Sequence, residues 1–130
     1  MVLDSSALIA VLNGEPGSAR IEAAMLAAPR VVLSAVTLVE ASIVADSRRQ
    51  PDGMAELDLL LNELGVEIIP VTAAHAQIAR VAYRDFGKGR HPAGLNFGDC
   101  FSYALARALG EPLLFVGNDF SQTDIAVAGY

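Results

Sequence analysis

Four acidic residues stand where their types and spacing could do chemistry. Asp4 directly follows a short apolar run, Met1 to Leu3, and Asp119 follows another, Leu113 to Val116, after the turn residues Gly117 and Asn118. Glu40 lies in the second turn of a helix-patterned segment that leaves the run Val31 to Leu33, and Asp99 lies in the first turn of a helix-patterned segment from Asn96 to Leu109. Carboxylates from four separated segments, gathered at one place, would repel one another unless some stayed protonated or a cation lay among them. Hard divalent ions such as Mg²⁺ and Mn²⁺ take oxygen ligands, and Mg²⁺ keeps several waters while using one or two carboxylates directly. One or two such ions can activate water and stabilise a leaving oxygen in phosphodiester hydrolysis.

Each acid has a plainer reading beside this one. Asp4 could cap the first helix, Asp99 could oppose a helix dipole three residues after Asn96, and Asp119 could be an ordinary turn residue. Glu40 falls among Val36, Val39, Ile43 and Val44, so its helix is expected to be buried there, and a buried acid needs a partner. Ser6 could hydrogen-bond a carboxylate or a metal-bound water, and Asp124 could extend the acidic edge or be a solvated cap. Cys100 reads as a small buried residue, and His75 as a surface or cap residue. Among the bases, Arg80, Arg84, Lys88 and Arg90 put four of the nine cations within eleven residues, with Arg80 and Arg84 on one helix face. They could carry phosphate contacts to the lip of an acidic pocket or simply form a solvated face. Tyr83, Phe86 and Phe97 could stack bases or pack the core.

The elements that must position these residues alternate. Strands are expected at Met1–Leu3, Val31–Leu33, Val66–Val71 and Pro112–Val116, with a short last one at Ile125–Val127. Helices are expected at Ser5–Asn13, Gly17–Ala28, after Ser34, at Met54–Leu64, Ala73–Phe86 and Asn96–Leu109. Apolar strands alternating with helices predict a three-layer α/β/α sandwich with a mostly parallel central sheet. Ligands of such sheets sit at the carboxyl ends of strands, near the point where strand order reverses.

The chain has 130 residues, 53% of them hydrophobic, with no repeat or linker, which predicts a single folded domain over residues 1–130. One cysteine excludes an intrachain disulfide framework and a Cys-rich zinc site. No apolar run reaches the roughly 18 residues of a membrane span, so a cytoplasmic protein is expected. A net charge of −6 argues against whole-surface attraction to nucleic acid, but not against local attraction.

Four stretches resemble the PIN-domain ribonucleases, specifically the VapC-type toxins of bacterial toxin–antitoxin pairs. They are Val2 to Leu8, Ser34 to Glu40, Leu95 to Ala106 and Leu113 to Phe120, in order along nearly the whole chain. The resemblance implies that Asp4, Glu40, Asp99 and Asp119 form the family's acidic quartet. Asp4 and Asp99 would be its main Mg²⁺ ligands and Ser6 its hydroxyl position. Glu40, Asp119 and Asp124 are candidates for a second metal, although Asn118 stands where many members have a small hydroxyl or another acid. The resemblance further implies Mg²⁺- or Mn²⁺-dependent cleavage of RNA, a homodimer, and inhibition by a cognate VapB-type antitoxin. A non-catalytic PIN-like RNA- or protein-binding domain is the alternative. Receiver-type and phosphatase-type readings fare badly, because Ser6 stands where a phosphatase wants a second Asp and the only lysine, Lys88, lies in a loop.

Overall fold

A computed structural model describes all 130 residues. Four parallel strands, β1 (Val2–Leu3), β2 (Val32–Ser34), β3 (Glu67–Ile69) and β4 (Leu113–Leu114), form a sheet of order β3-β2-β1-β4. Val2 pairs in register with Val32 on one side and Leu113 on the other. Alternate side chains of each strand enter opposite cores. Leu3, Leu33 and Leu114 face the helices α1 (Ser5–Leu12), α2 (Ser18–Ala27), α3 (Ala35–Arg48) and α4 (Gly53–Glu63). Val2, Val32 and Leu113 face α5 (Ala73–Phe86) and α6 (Phe97–Leu109). The three-layer sandwich expected from the alternation is therefore present, with both faces of the sheet covered.

The strands are shorter than their apolar runs. Ile125–Val127 contributes only an isolated bridge from Val127 to Leu113, and β3, at the sheet's edge, leaves Glu67 and Ile68 exposed. Arg30 pairs with Glu67 at 3.0 Å on this edge, placing charge where unpaired backbone would otherwise invite another strand.

The buried face of α3 differs from the one its large residues suggest. Val39 and Ile43 are exposed, whereas Thr37, Ala41 and Ala45, spaced four apart, are buried. Small side chains on this stripe let α3 come close to α1 and α6, so volume rather than hydrophobicity decides which face turns inward. His75 is buried rather than at the surface, in the first turn of α5, where its backbone N–H donates to the Thr72 hydroxyl.

After β1 the chain moves outward through β2 to β3, then returns to place β4 on the other flank of β1. The β1/β4 boundary is the point where strand order reverses, and the Asp4 backbone N–H donates to the Leu114 carbonyl across it at 2.9 Å.

Candidate metal and nuclease site

Asp4 is the first residue past β1 and also caps α1, its Oδ2 accepting from the Ser6 backbone N–H at 3.0 Å. The capping reading of Asp4 is borne out, and the same residue also lines a pocket at the sheet's edge. The same oxygen accepts from the Ser6 hydroxyl at 2.6 Å, and Ser6 Oγ in turn accepts from the Val116 backbone N–H at 3.0 Å. Ser6 thus ties the Asp4 carboxylate to the end of β4. Oδ1 of Asp4 accepts from Ser102 of α6 at 2.7 Å, and Ser102 Oγ lies 3.2 Å from Thr37 Oγ1 of α3. Asp4 is only 3% exposed, and this set of donors gives both of its buried oxygens hydrogen-bond partners.

Asp99 is likewise a capping residue that lines this pocket. Asn96 caps α6 by accepting from the Asp99 backbone N–H at 2.9 Å, and Asp99 Oδ2 accepts from the Asn96 backbone N–H at 3.0 Å, a closed capping box. Burial pushes the Asp99 carboxyl up to about 7, the bond from Asn96 opposes the rise, and the charges of Asp4, Glu40 and Asp119 add to it. Glu40, half-buried on α3, accepts from the Ser5 hydroxyl at 2.5 Å. Its carboxyl is also raised, chiefly by burial and further by Asp4, against the lowering effect of Ser5. The other Glu40 oxygen rests over Gly98, where an added Cβ would overlap it. Asp119 is exposed and makes no capping bond of its own.

All four carboxylates, with Ser5 and Ser6, line one pocket of about 250 Å³ at the β1/β4 boundary. No three Asp, Glu, His or Cys side chains stand close enough together to close around a single ion. Hydrogen bonds hold Asp4, Glu40 and Asp99 each in its own place on the pocket wall. The donor set nevertheless fits a hard cation that takes one or two carboxylates and completes its shell with water, and such a charge would offset the repulsion that adds to the effect of burial at Asp99.

Asp124 is not brought to this pocket. It accepts from the Tyr103 hydroxyl at 2.6 Å and pairs with Arg107 at 3.4 Å, lining a separate cavity under α5. The Tyr103 hydroxyl is pushed up to about 12 by burial and by Asp124. Arg80, Arg84, Lys88 and Arg90 do come together, around a larger cavity between α5 and α6. Cys100 is buried with its thiol pushed up to about 11, first by burial and then by Asp99, which disfavours the thiolate form.

Ser5, Thr37, Ser102 and Gly98 support the acids without standing out in the sequence. Ser102 carries a usable signal, being a polar residue three positions after Asp99 within an otherwise apolar stretch of α6. Thr37 and Gly98 carry none, because their partners come from distant segments.

A parallel sheet with carboxylates converging where its strand order reverses defines a class of metal-using α/β domains. Residues 1–126 match the PIN domain, and the chain belongs to that family, among its VapC ribonucleases. Ribonuclease VapC30 of Mycobacterium tuberculosis is 50% identical over 126 residues, covering 97% of this chain and 96% of the relative. Ribonuclease VapC of Mycolicibacterium smegmatis is 49% identical, covering 97% and 98%. Among solved structures, VapC20 of Mycobacterium tuberculosis, described as a toxin cleaving the sarcin–ricin loop, superposes with a TM-score of 0.77 at 20% identity over 98% of this chain and 97% of that one. At that identity the likeness shows the shared fold.

Proposed function

We propose that this chain is the toxin of a toxin–antitoxin pair, an endoribonuclease that hydrolyses RNA phosphodiester bonds with Mg²⁺, or Mn²⁺ in its place. One observation carries the chemistry: four acids from four segments line a single pocket at the β1/β4 boundary. Asp4 and Asp99, the two most buried of the four, would hold the cation. Bound there, a hard cation supplies activation of water and neutralisation of charge on the scissile phosphate.

The chain's own groups perform the rest. Ser6 and Ser102 keep both Asp4 oxygens oriented, and the capping box keeps Asp99 on the pocket wall. Glu40, with its raised carboxyl, and Asp119, free of hydrogen bonds that would hold it elsewhere, also line the pocket. Their role is to position the attacking water and accept its proton. The names of the relatives support the ribonuclease reading. The exposed apolar residues Val39 and Ile43 fit a chain that acts as a homodimer or binds a VapB-type antitoxin. No helix is long and apolar enough to cross a membrane, in keeping with a cytoplasmic site of action.

The test is cleavage of RNA by purified protein with and without EDTA, comparing wild type with Asp99→Asn. Metal-dependent cleavage by wild type, abolished in the variant, is expected. Undiminished metal-dependent cleavage by Asp99→Asn would overturn the assignment.

A further inference from the structure

The cavity between α5 and α6 has a volume of about 730 Å³ and a different character from the acidic pocket beside it. Arg80, Arg84, Lys88 and Arg90 all line it, and no acid does. Lys88 and Arg90 take part in no ion pair, and the Arg90 guanidinium lies 5.6 Å from the centre of the Tyr83 ring. Two aromatic rings are open to solvent at its edge, Tyr83 at 41% and Phe97 at 72% exposure. Phe101 packs edge-on against Phe97 with ring centres 5.0 Å apart, which steadies the exposed ring. The floor is small and apolar, formed by Ala76, Ala79 and Cys100.

An exposed phenyl face beside unpaired cations gains little from folding, since neither the apolar area is buried nor the charge paired. A flat ligand with an apolar face and anionic groups on either side would satisfy both. A nucleobase between its flanking phosphates has that form. The base must be unpaired, because a duplex hides its faces in the stack. An acidic peptide would match the charge but offers no comparable flat face.

The location fixes the register. Asn96 lines both this cavity and the acidic pocket. Its Oδ1 is committed to the cap, while its side-chain NH₂ makes no hydrogen bond within the chain and stands free to donate between the two.

We propose that this cavity is a nucleobase subsite, which receives one unpaired base of the RNA strand against Phe97, close to the scissile phosphate, with neighbouring phosphates on the Arg80, Arg84, Lys88 and Arg90 rim. The proposal rests on the ribonuclease reading above. Steady-state kinetics on a single-stranded RNA and on the base-free diester bis(p-nitrophenyl) phosphate test it, with wild type, Phe97→Ala and Phe97→Tyr in Mn²⁺. Losing one stacked base should raise the RNA KM of Phe97→Ala about tenfold with kcat little changed. Phe97→Tyr should restore the KM, and hydrolysis of the diester should not move. Because Phe97 is largely exposed, Phe97→Ala is expected to fold. An unchanged RNA KM would overturn the proposal. So would a change in sedimentation that accounts for the loss, which would make this face an interface between copies. Inhibition by an acidic, Phe-containing peptide that Phe97→Ala escapes while its RNA KM stays put would assign the cavity to a protein instead. If the ribonuclease reading itself fails, wild type cleaves neither substrate. Quenching of a 2-aminopurine RNA by wild type but not by Phe97→Ala then still decides whether the base subsite exists.

Discussion

In the pocket at the ends of β1 and β4, three of the four carboxylates are buried or half-buried and tied to fixed donors: Asp4 to Ser6 and Ser102, Glu40 to Ser5, and Asp99 to Asn96. In the cavity between α5 and α6, the charges sit on long exposed side chains. Arg84 pairs only with its neighbour Asp85, Arg80 bonds Gln77 one turn away, and Lys88 has no ionic partner. The first region gives up stability to hold like charges close, and its geometry is therefore fixed. The second costs the fold little and leaves its side chains able to adapt to a ligand. The proposed chemistry and the proposed affinity thus fall to regions built in opposite ways, and substitutions should separate them.

The largest effect is expected from the acids. Asp4→Asn or Asp99→Asn should lower cleavage more than the roughly 10–100-fold typical of losing a group that merely supports a metal ligand, with the fold intact by circular dichroism. A variant at either position that kept its activity would dissolve the distinction between the two regions. Supporting groups come next. Ser102→Ala frees one Asp4 oxygen, and Gly98→Ala displaces the Glu40 carboxylate. Each should reduce kcat on RNA by about 10–100-fold, measured beside a thermal melt to show that the loss is not unfolding.

Which of these effects the sequence can foretell follows from where the partners lie. The alternation of strands and helices, the layered fold and the four acids are legible, because each rests on a local signal: an apolar run, a helical period, an acid at a segment end. The capping box of Asn96 and Asp99 is legible for the same reason, as its partners are three residues apart. The inward face of α3 is not. Val39 and Ile43 look like core residues, and only packing against α1 and α6 selects Thr37, Ala41 and Ala45 instead. The Ser102–Asp4 bond joins residues 98 apart: the apolar stretch of α6 marks Ser102 as a polar residue that needs a partner, but nothing in either segment says which. Asp124 looks like a neighbour of Asp119 in sequence, yet the 3₁₀ turn Phe120–Gln122 carries the chain away and leaves it with Tyr103 and Arg107.

Smaller effects should come from the cationic rim. Lys88→Ala or Arg90→Ala should raise the RNA KM a few-fold and leave kcat alone. The slope of log affinity against log salt should become shallower by about 0.7 for each single-strand phosphate that the variant no longer neutralises. RNA should also bind weakly in EDTA, since the metal-free acidic pocket repels phosphate. Tight, metal-independent binding at that pocket would contradict this, and a filter-binding titration with and without Mg²⁺ distinguishes the outcomes.

The smallest effect concerns stability. Asp99 holds its proton up to about 7 in the folded state, against 3.8 for an ordinary carboxyl, chiefly because it is buried. The folded chain therefore binds a proton that the unfolded chain has released, and stability from this group falls as pH rises through that interval. In EDTA, Asp99→Asn should melt at a higher temperature than wild type at about pH 8, and the difference should shrink as the pH falls below the interval. Adding Mg²⁺ should raise the melting temperature of wild type more than that of the variant.

The capping box at the start of α6 has one more consequence. Helix ends fray more readily than helix middles, and the first turn of α6 carries Asp99 on one side and Phe97 on the other. A momentary opening of that turn would disturb both regions at once. Any ligand that clamps the turn from either side steadies it for the other. Slowed amide exchange at Asp99 and Cys100 would register such a clamp, with no movement of the rest of the helix required.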